Sequence, residues 1–133
     1  MKSQRVWAAA WLALVMVLVL GGLASAHHSR AGIYDDDRLV ETEGVVAEWR
    51  WRNPHVYLVW DVTDEHGNVV QWTGEMSSVT SMMSEGLTRS TFVPGQQGTF
   101  TVIPATSGAP QGELVKAVMA DGTVPLDRGR GQD

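Results

Sequence analysis

His27 and His28 stand directly behind Ala24-Ser25-Ala26, a small-x-small pattern that a signal peptidase reads. A cut after Ala26 would make His27 the first residue and give it a free α-amine. That amine titrates near ~8 in model peptides, well below a lysine amine, so it competes for metal readily. With its own Nδ1 it can grip one ion in a chelate ring. A third nitrogen across the ion completes a T-shaped set, which suits Cu(II) by ligand type and tetragonal geometry. The stretch "WRWRNPH" offers that nitrogen from His55, held next to Pro54, whose ring stiffens the backbone. His28 is close to His27 and can add its own ring or the intervening amide. Glu75 follows Trp72 and closes a strand pattern; it is read as a strand-end carboxylate or as a hydrogen-bond partner for a ligating histidine.

Other chemistry is thinly represented. The chain has no cysteine, so thiolate metal sites, thiol catalysis and disulfides are excluded. Met76, Met82, Met83 and Met119 are soft thioethers, but methionine at core spacing is an ordinary gap filler. There is no Gly-x-Ser-x-Gly elbow, phosphate loop or His-Glu-x-x-His pair. The expectation is a binding protein rather than an enzyme. Asp35-Asp36-Asp37 lacks the spaced ligands and central glycine of a calcium loop and reads as a solvated turn. His66 lies in turn chemistry and is read as exposed and uninvolved.

A second reading uses no metal. Trp49, Trp51 and Trp60 flank the Asn-Pro-His turn. On an exposed strand face they would stack on a glycan or an envelope protein; inside, they are core. Once Lys2 and Arg5 are left behind the cut, 8 basic residues face 15 acidic ones, a net charge of −7 with neutral histidines. That balance argues against nucleic acid and anionic lipid, whose recognition needs a basic stripe.

The elements that would position these residues follow from hydrophobic patterning. Lys2 and Arg5 precede an uncharged apolar run, Val6 to Leu20, then Gly21-Gly22 and the small-residue cut. This order predicts a signal peptide over 1–26, a periplasmic or secreted location and no membrane attachment after cleavage. A retained anchor is the alternative, since 21 uncharged residues just span a bilayer. Residues 27–38 read as a polar arm, 39–126 as one small domain and 127–133 as a flexible tail.

Within the domain, Val40 to Trp51 alternates and predicts a strand with Val45, Ala47, Trp49 and Trp51 on one side. His55 to Val62 predicts a second, with Val56, Leu58, Trp60 and Val62 on one face. Asp64 to Asn68 is a turn, so Val69 to Glu75 closes a hairpin. Ser77 to Glu85 predicts a short helix with Val79, Met82 and Met83 toward the core. Gly98 to Pro104 and Glu113 to Met119 supply two more strands. The fold expected is all-β with one short helix, a five-stranded antiparallel barrel in the OB-like order.

Several of these stretches occur together in one family. His-His-Ser after the apolar leader, Tyr34-Asp35, "EGVVAEWRWRNPH", the turn at Gly67, Trp72, Glu75 and "GLTRSTFVPG" resemble the exported bacterial proteins of domain-of-unknown-function family 6152. The resemblance runs from His27 to about Val102. It implies export and a small β-barrel, and it points to His27, His28 and His55 as residues to test. The chain departs from the family pattern at Pro94-Gly95-Gln96, where members usually carry Pro-Gly-Asp, and at Pro104-Ala105, where a second glycine is usual.

Overall fold

The computed structural model describes residues 32–129. The expected signal peptide, His27, His28 and residues 130–133 lie outside the described residues. Six strands and one helix follow in order: β1 Val40–Arg50, β2 Tyr57–Thr63, β3 Val69–Glu75, α1 Val79–Ser84, β4 Gln97–Pro104, β5 Gln111–Met119 and the two-residue β6 Leu126–Asp127. The sheet order is β3-β2-β1-β4-β5-β6, and β3 also pairs with β5. That last pairing closes five strands into a barrel, with α1 between β3 and β4 in sequence, as in OB-like folds.

One feature of the expected barrel is corrected. The closing pair, Thr73 to Glu75 against Gln111 to Glu113, is parallel, so the barrel is mixed rather than antiparallel. Parallel neighbours need a long crossover, and the chain from α1 through β4 provides it.

β1 is long because it serves two partners. Its first half pairs with β4, Val40↔Val102 to Val45↔Gln97, and its second half with β2, Val45↔Asp61 to Arg50↔Tyr57. A β-bulge at Ala47, between Val46 and Glu48, lies in the second half. An extra residue in one strand shifts the pleat by one and bends the strand. Val40, Thr42 and Val46 therefore turn inward before the bulge, and Trp49 after it. Val46 is buried and Val45 is exposed, which corrects the expectation that Val45 and Ala47 lie on the same side of the strand as Trp49. Simple alternation cannot register an inserted residue.

β2 follows its pattern. Val56, Leu58 and Trp60 are fully buried, and Val62 packs against the core. Trp60 fills the barrel. Its ring lies 6.2 Å from Trp72 and 4.8 Å from Phe100, and its Nε1 donates to Thr42 Oγ1 at 3.0 Å. Burying an indole of about 200 Å² is worth roughly 5 kcal/mol at ~25 cal/mol per Å². Glycines make the room. A Cβ on Gly44 would stand 2.7 Å from Trp60 Cδ1, and one on Gly74 would stand 3.0 Å from Trp60 Cζ3.

Ser78 caps α1, accepting the Ser81 N–H, and Gly86, at φ +89°, ends it. Met82 is fully buried and Val79 packs on the core, but Met83 is 62% exposed. A helix of six residues presents one narrow stripe to a barrel, and Met83 lies a third of a turn beyond Met82.

The two departures from the family pattern have local roles. Gly95 takes φ +92° in the turn before β4, and Gln96 Oε1 accepts the Val93 N–H at 2.8 Å. Pro104 and Ala105 dock the incoming chain: Asp35 N donates to the Pro104 carbonyl at 2.9 Å, and Tyr34 forms a bridge with Ala105. Thr106 accompanies them, its N–H reaching the Ile33 carbonyl and its hydroxyl the Gly32 carbonyl. From Gly32 onward the expected arm is thus paired with the barrel.

The expected flexible tail is also corrected over residues 127–129. Asp127 pairs with Lys116 across β6 and β5. Arg128 N donates to the Val115 carbonyl, and its guanidinium meets both oxygens of Glu85 at 3.1 Å and Glu113 Oε1 at 3.5 Å. Such a forked pairing orders a segment that composition alone presents as loose.

Candidate functional site

Backbone bonds around the Asn-Pro-His turn fix where His55 stands. Asn53 Oδ1 accepts the N–H of Val79 at the start of α1, at 3.0 Å. Two residues after the cis Asn53–Pro54 bond, Val56 N donates to the Ser77 carbonyl, and Met76 N donates to the Val56 carbonyl. The β2–β3 ladder therefore continues past Tyr57↔Glu75 and sets His55 beside Glu75.

Glu75 joins two side chains that are far apart in sequence. His55 Nδ1 hydrogen-bonds to Glu75 Oε1, and the Tyr34 hydroxyl donates to Glu75 Oε2 at 2.7 Å. A carboxylate only accepts, so Nδ1 carries the hydrogen, and Nε2 of a neutral ring presents its lone pair. The His55 ring is stacked beside Tyr57, centroids 6.4 Å apart and planes 25° apart. Its side chain remains 48% exposed. The imidazole is thus held through Nδ1 and beside the Tyr57 ring while its side chain stays half-exposed.

The electrostatics keep the surrounding phenols protonated. Burial, then the hydrogen bond to Glu75 and the carboxylate charges of Glu75 and Glu113, push the Tyr34 phenol far above its ordinary range. Burial and Glu75 raise Tyr57 as well. Tyr34 therefore acts at neutral pH as a hydrogen-bond donor. A histidine whose Nδ1–H rests on a carboxylate has the orientation of many metal-ligating histidines.

The other named residues are distributed as follows. His27 and His28 lie outside the described residues. Among the described residues, no group of three or more histidine, aspartate or glutamate side chains is arranged to hold a metal ion. His66 is exposed in the β2–β3 turn, where its N–H donates to Asp64 Oδ1 at 2.8 Å.

The aromatic face is divided by burial. Trp60 is fully buried, which corrects its place on an exposed face. Trp49 and Trp51 are half-buried, with ring centroids 5.3 Å apart. Trp49 also packs edge-on against Phe92 at 4.9 Å and donates to the Thr88 carbonyl at 3.0 Å. Arg50, between them in sequence, pairs with Glu48 at 2.7 Å.

Sequence reasoning singled out His55 and Glu75 separately and passed over Tyr34 as a site residue. The only local signal was its place in Tyr34-Asp35 ahead of the first strand; its contact spans 41 residues.

The closed barrel, the capping helix and the histidine–carboxylate–phenol set define a small OB-like domain with one oriented, open imidazole. The chain belongs to a family of unknown function, DUF6152, whose model matches residues 13–114. No curated protein and no solved structure matches it.

Proposed function

We propose that this protein is exported and binds a metal ion, copper above all, through the His55 imidazole together with the imidazole and free α-amine of His27, His28 adding a further donor. The observation that supports this reading most directly is the Glu75 carboxylate on Nδ1 of a half-exposed His55, which leaves Nε2 as the ring nitrogen for a ligand. A domain whose described residues contain no complete metal cluster then needs the leading histidines to finish the site. Storage, transport or sensing of the ion follows more naturally than catalysis from one exposed imidazole beside a packed barrel.

The test is the Cu(II) EPR spectrum at one equivalent of metal. The protein is expressed from its full sequence, and its amino terminus is confirmed as His27. A control carries one methionine ahead of His27. A single tetragonal, nitrogen-rich signal that changes in the control supports the reading. Equally weak, heterogeneous signals in both overturn it. In parallel, His55→Ala is expected to weaken copper binding at least ~10-fold, as loss of an anchoring ligand should.

The metal-free alternative, a glycan- or envelope-protein-binding face, rests on Trp49 and Trp51 alone once Trp60 is assigned to the core. It expects Trp51→Ala to abolish binding in a folded domain, and the methionine extension to change nothing.

A further inference from the structure

We infer that the cleft where β1 and β2 part is a docking groove for an extended, basic peptide segment of a partner protein. It shares no residue with the His55 site. β1 and β2 run paired from Arg50↔Tyr57 to Val45↔Asp61, and there the ladder stops. Glu43 and Thr63, which would form the next hydrogen-bonded rung, do not pair. Both line a cleft of about 490 Å³, together with Val45, Asp61, Gln97 and Val118.

The direction of the open backbone groups follows from the bonds that β1 does make. Val46 N donates to the Gln96 carbonyl, and Gly95 N donates to the Val46 carbonyl. Even-numbered residues of this half of β1 therefore turn their N–H and C=O toward β4. Glu43 turns its own the other way, into the cleft. Glycines hollow the floor. Gly44 pairs with Gly98 across β1 and β4. A Cβ on Gly44 would stand 2.7 Å from Trp60 Cδ1, and one on Gly98 would stand 3.2 Å from Phe100 Cζ. Both strands rest their backbone on the core rings, so the outer surface above them is sunken.

Charge selects the occupant. Among the described residues, no lysine, arginine or histidine lines the cleft. Glu43 is exposed, and Asp61 Oδ1 accepts the neutral Gln71 amide at 2.9 Å. Val45 follows Glu43 on the same face, stands opposite Asp61 and is 37% exposed. It offers an apolar seat for the stem of a lysine or arginine whose charged head meets the carboxylates. An open strand edge takes an extended backbone, and the flanking side chains set the preference. A basic segment satisfies the Glu43 edge and both carboxylates at once, whereas an acidic one is repelled.

The experiment follows the amide NMR signals of isotope-labelled protein, expressed from the full sequence, during titration with the acetylated, amidated peptides Val-Lys-Val-Lys-Val and Val-Glu-Val-Glu-Val. The lysine peptide is expected to shift the amides of Glu43, Thr63 and Gln97, and the glutamate peptide to leave them in place. Glu43→Gln combined with Asp61→Asn should raise the half-saturating concentration about fivefold or more, as loss of two exposed charge pairs should. Equal responses to the two peptides, shifts confined to other parts of the barrel, or unchanged binding in a double variant with native circular dichroism overturn the inference. Spermidine carries the charge without a peptide backbone. If it moves the same amides at the same concentration as the lysine peptide, the cleft is a polyamine site and strand docking is overturned.

Discussion

The Tyr34 hydroxyl donates to Glu75 Oε2 at 2.7 Å, and the same carboxylate accepts His55 Nδ1–H on its other oxygen. The turn ahead of β1, the end of β3 and the segment leading into β2 thus meet at one carboxylate. That meeting makes the orientation of His55 a property of the whole barrel.

Removing the charge of Glu75 should expose its role. Glu75→Gln keeps the size but can no longer pair as a charge with an imidazole that acquires positive character on binding metal. Copper affinity is expected to fall about 10- to 100-fold, as for other partners of ligating histidines. A competition titration against a chelator measures this, with circular dichroism expected to be unchanged.

The protein's two tyrosines, Tyr34 and Tyr57, are both raised. In the unfolded chain a phenol ionises near ~10; in the fold both hold their protons higher. Above that pH the unfolded state binds fewer protons, so this contribution to stability is fully present below ~10 and is lost as pH rises toward the folded values. Ultraviolet absorbance of phenolate should stay nearly flat through pH 10 in the folded protein and rise together with alkaline unfolding. A normal titration step near 10 would contradict the packing around Tyr34.

Trp60→Ala should remove the centre of the core. The indole is fully buried between Trp72 and Phe100. Loss of a large buried aromatic costs about 3–5 kcal/mol. Urea unfolding should show that loss, and Trp51→Ala, at a half-buried ring, should cost clearly less.

Gly112→Ala tests the closure of the barrel. A Cβ there would lie 2.3 Å from the Ile103 carbonyl oxygen and 2.9 Å from Val102 Cβ. Backbone cannot step aside as a flexible side chain can. A loss of at least ~1–3 kcal/mol is expected in denaturant unfolding, the range for overpacking a filled interior. Gly112 pairs with both Pro104 and Gly74, so the strain falls on the pairing that closes the five strands.

Period-two patterning over Val56 to Val62 and Val69 to Glu75 made the hairpin, and much of the core, legible in the sequence. The run from Ser77 to Glu85 likewise announced the helix. The phase of β1 was not legible, because the bulge at Ala47 leaves no local mark of its own. Nor were Gly44 and Gly74 legible as the space for Trp60. A glycine in a strand declares only that a side chain is missing; which atom fills the gap depends on a neighbouring strand.

The site divides along the same line. By itself the sequence determined the strand order, the absence of thiol chemistry, and the presence of His55 behind a stiff Asn-Pro turn, because these depend on residue type and near-neighbour spacing. Only the tertiary structure decided that β3 and β5 close the barrel in parallel, that Trp60 is interior, and that Tyr34 and His55 share Glu75. Those relationships join residues 20 to 41 positions apart, and the physical reason is that hydrogen bonds and packing are set by distance in space, which chain order specifies only after the strands have paired.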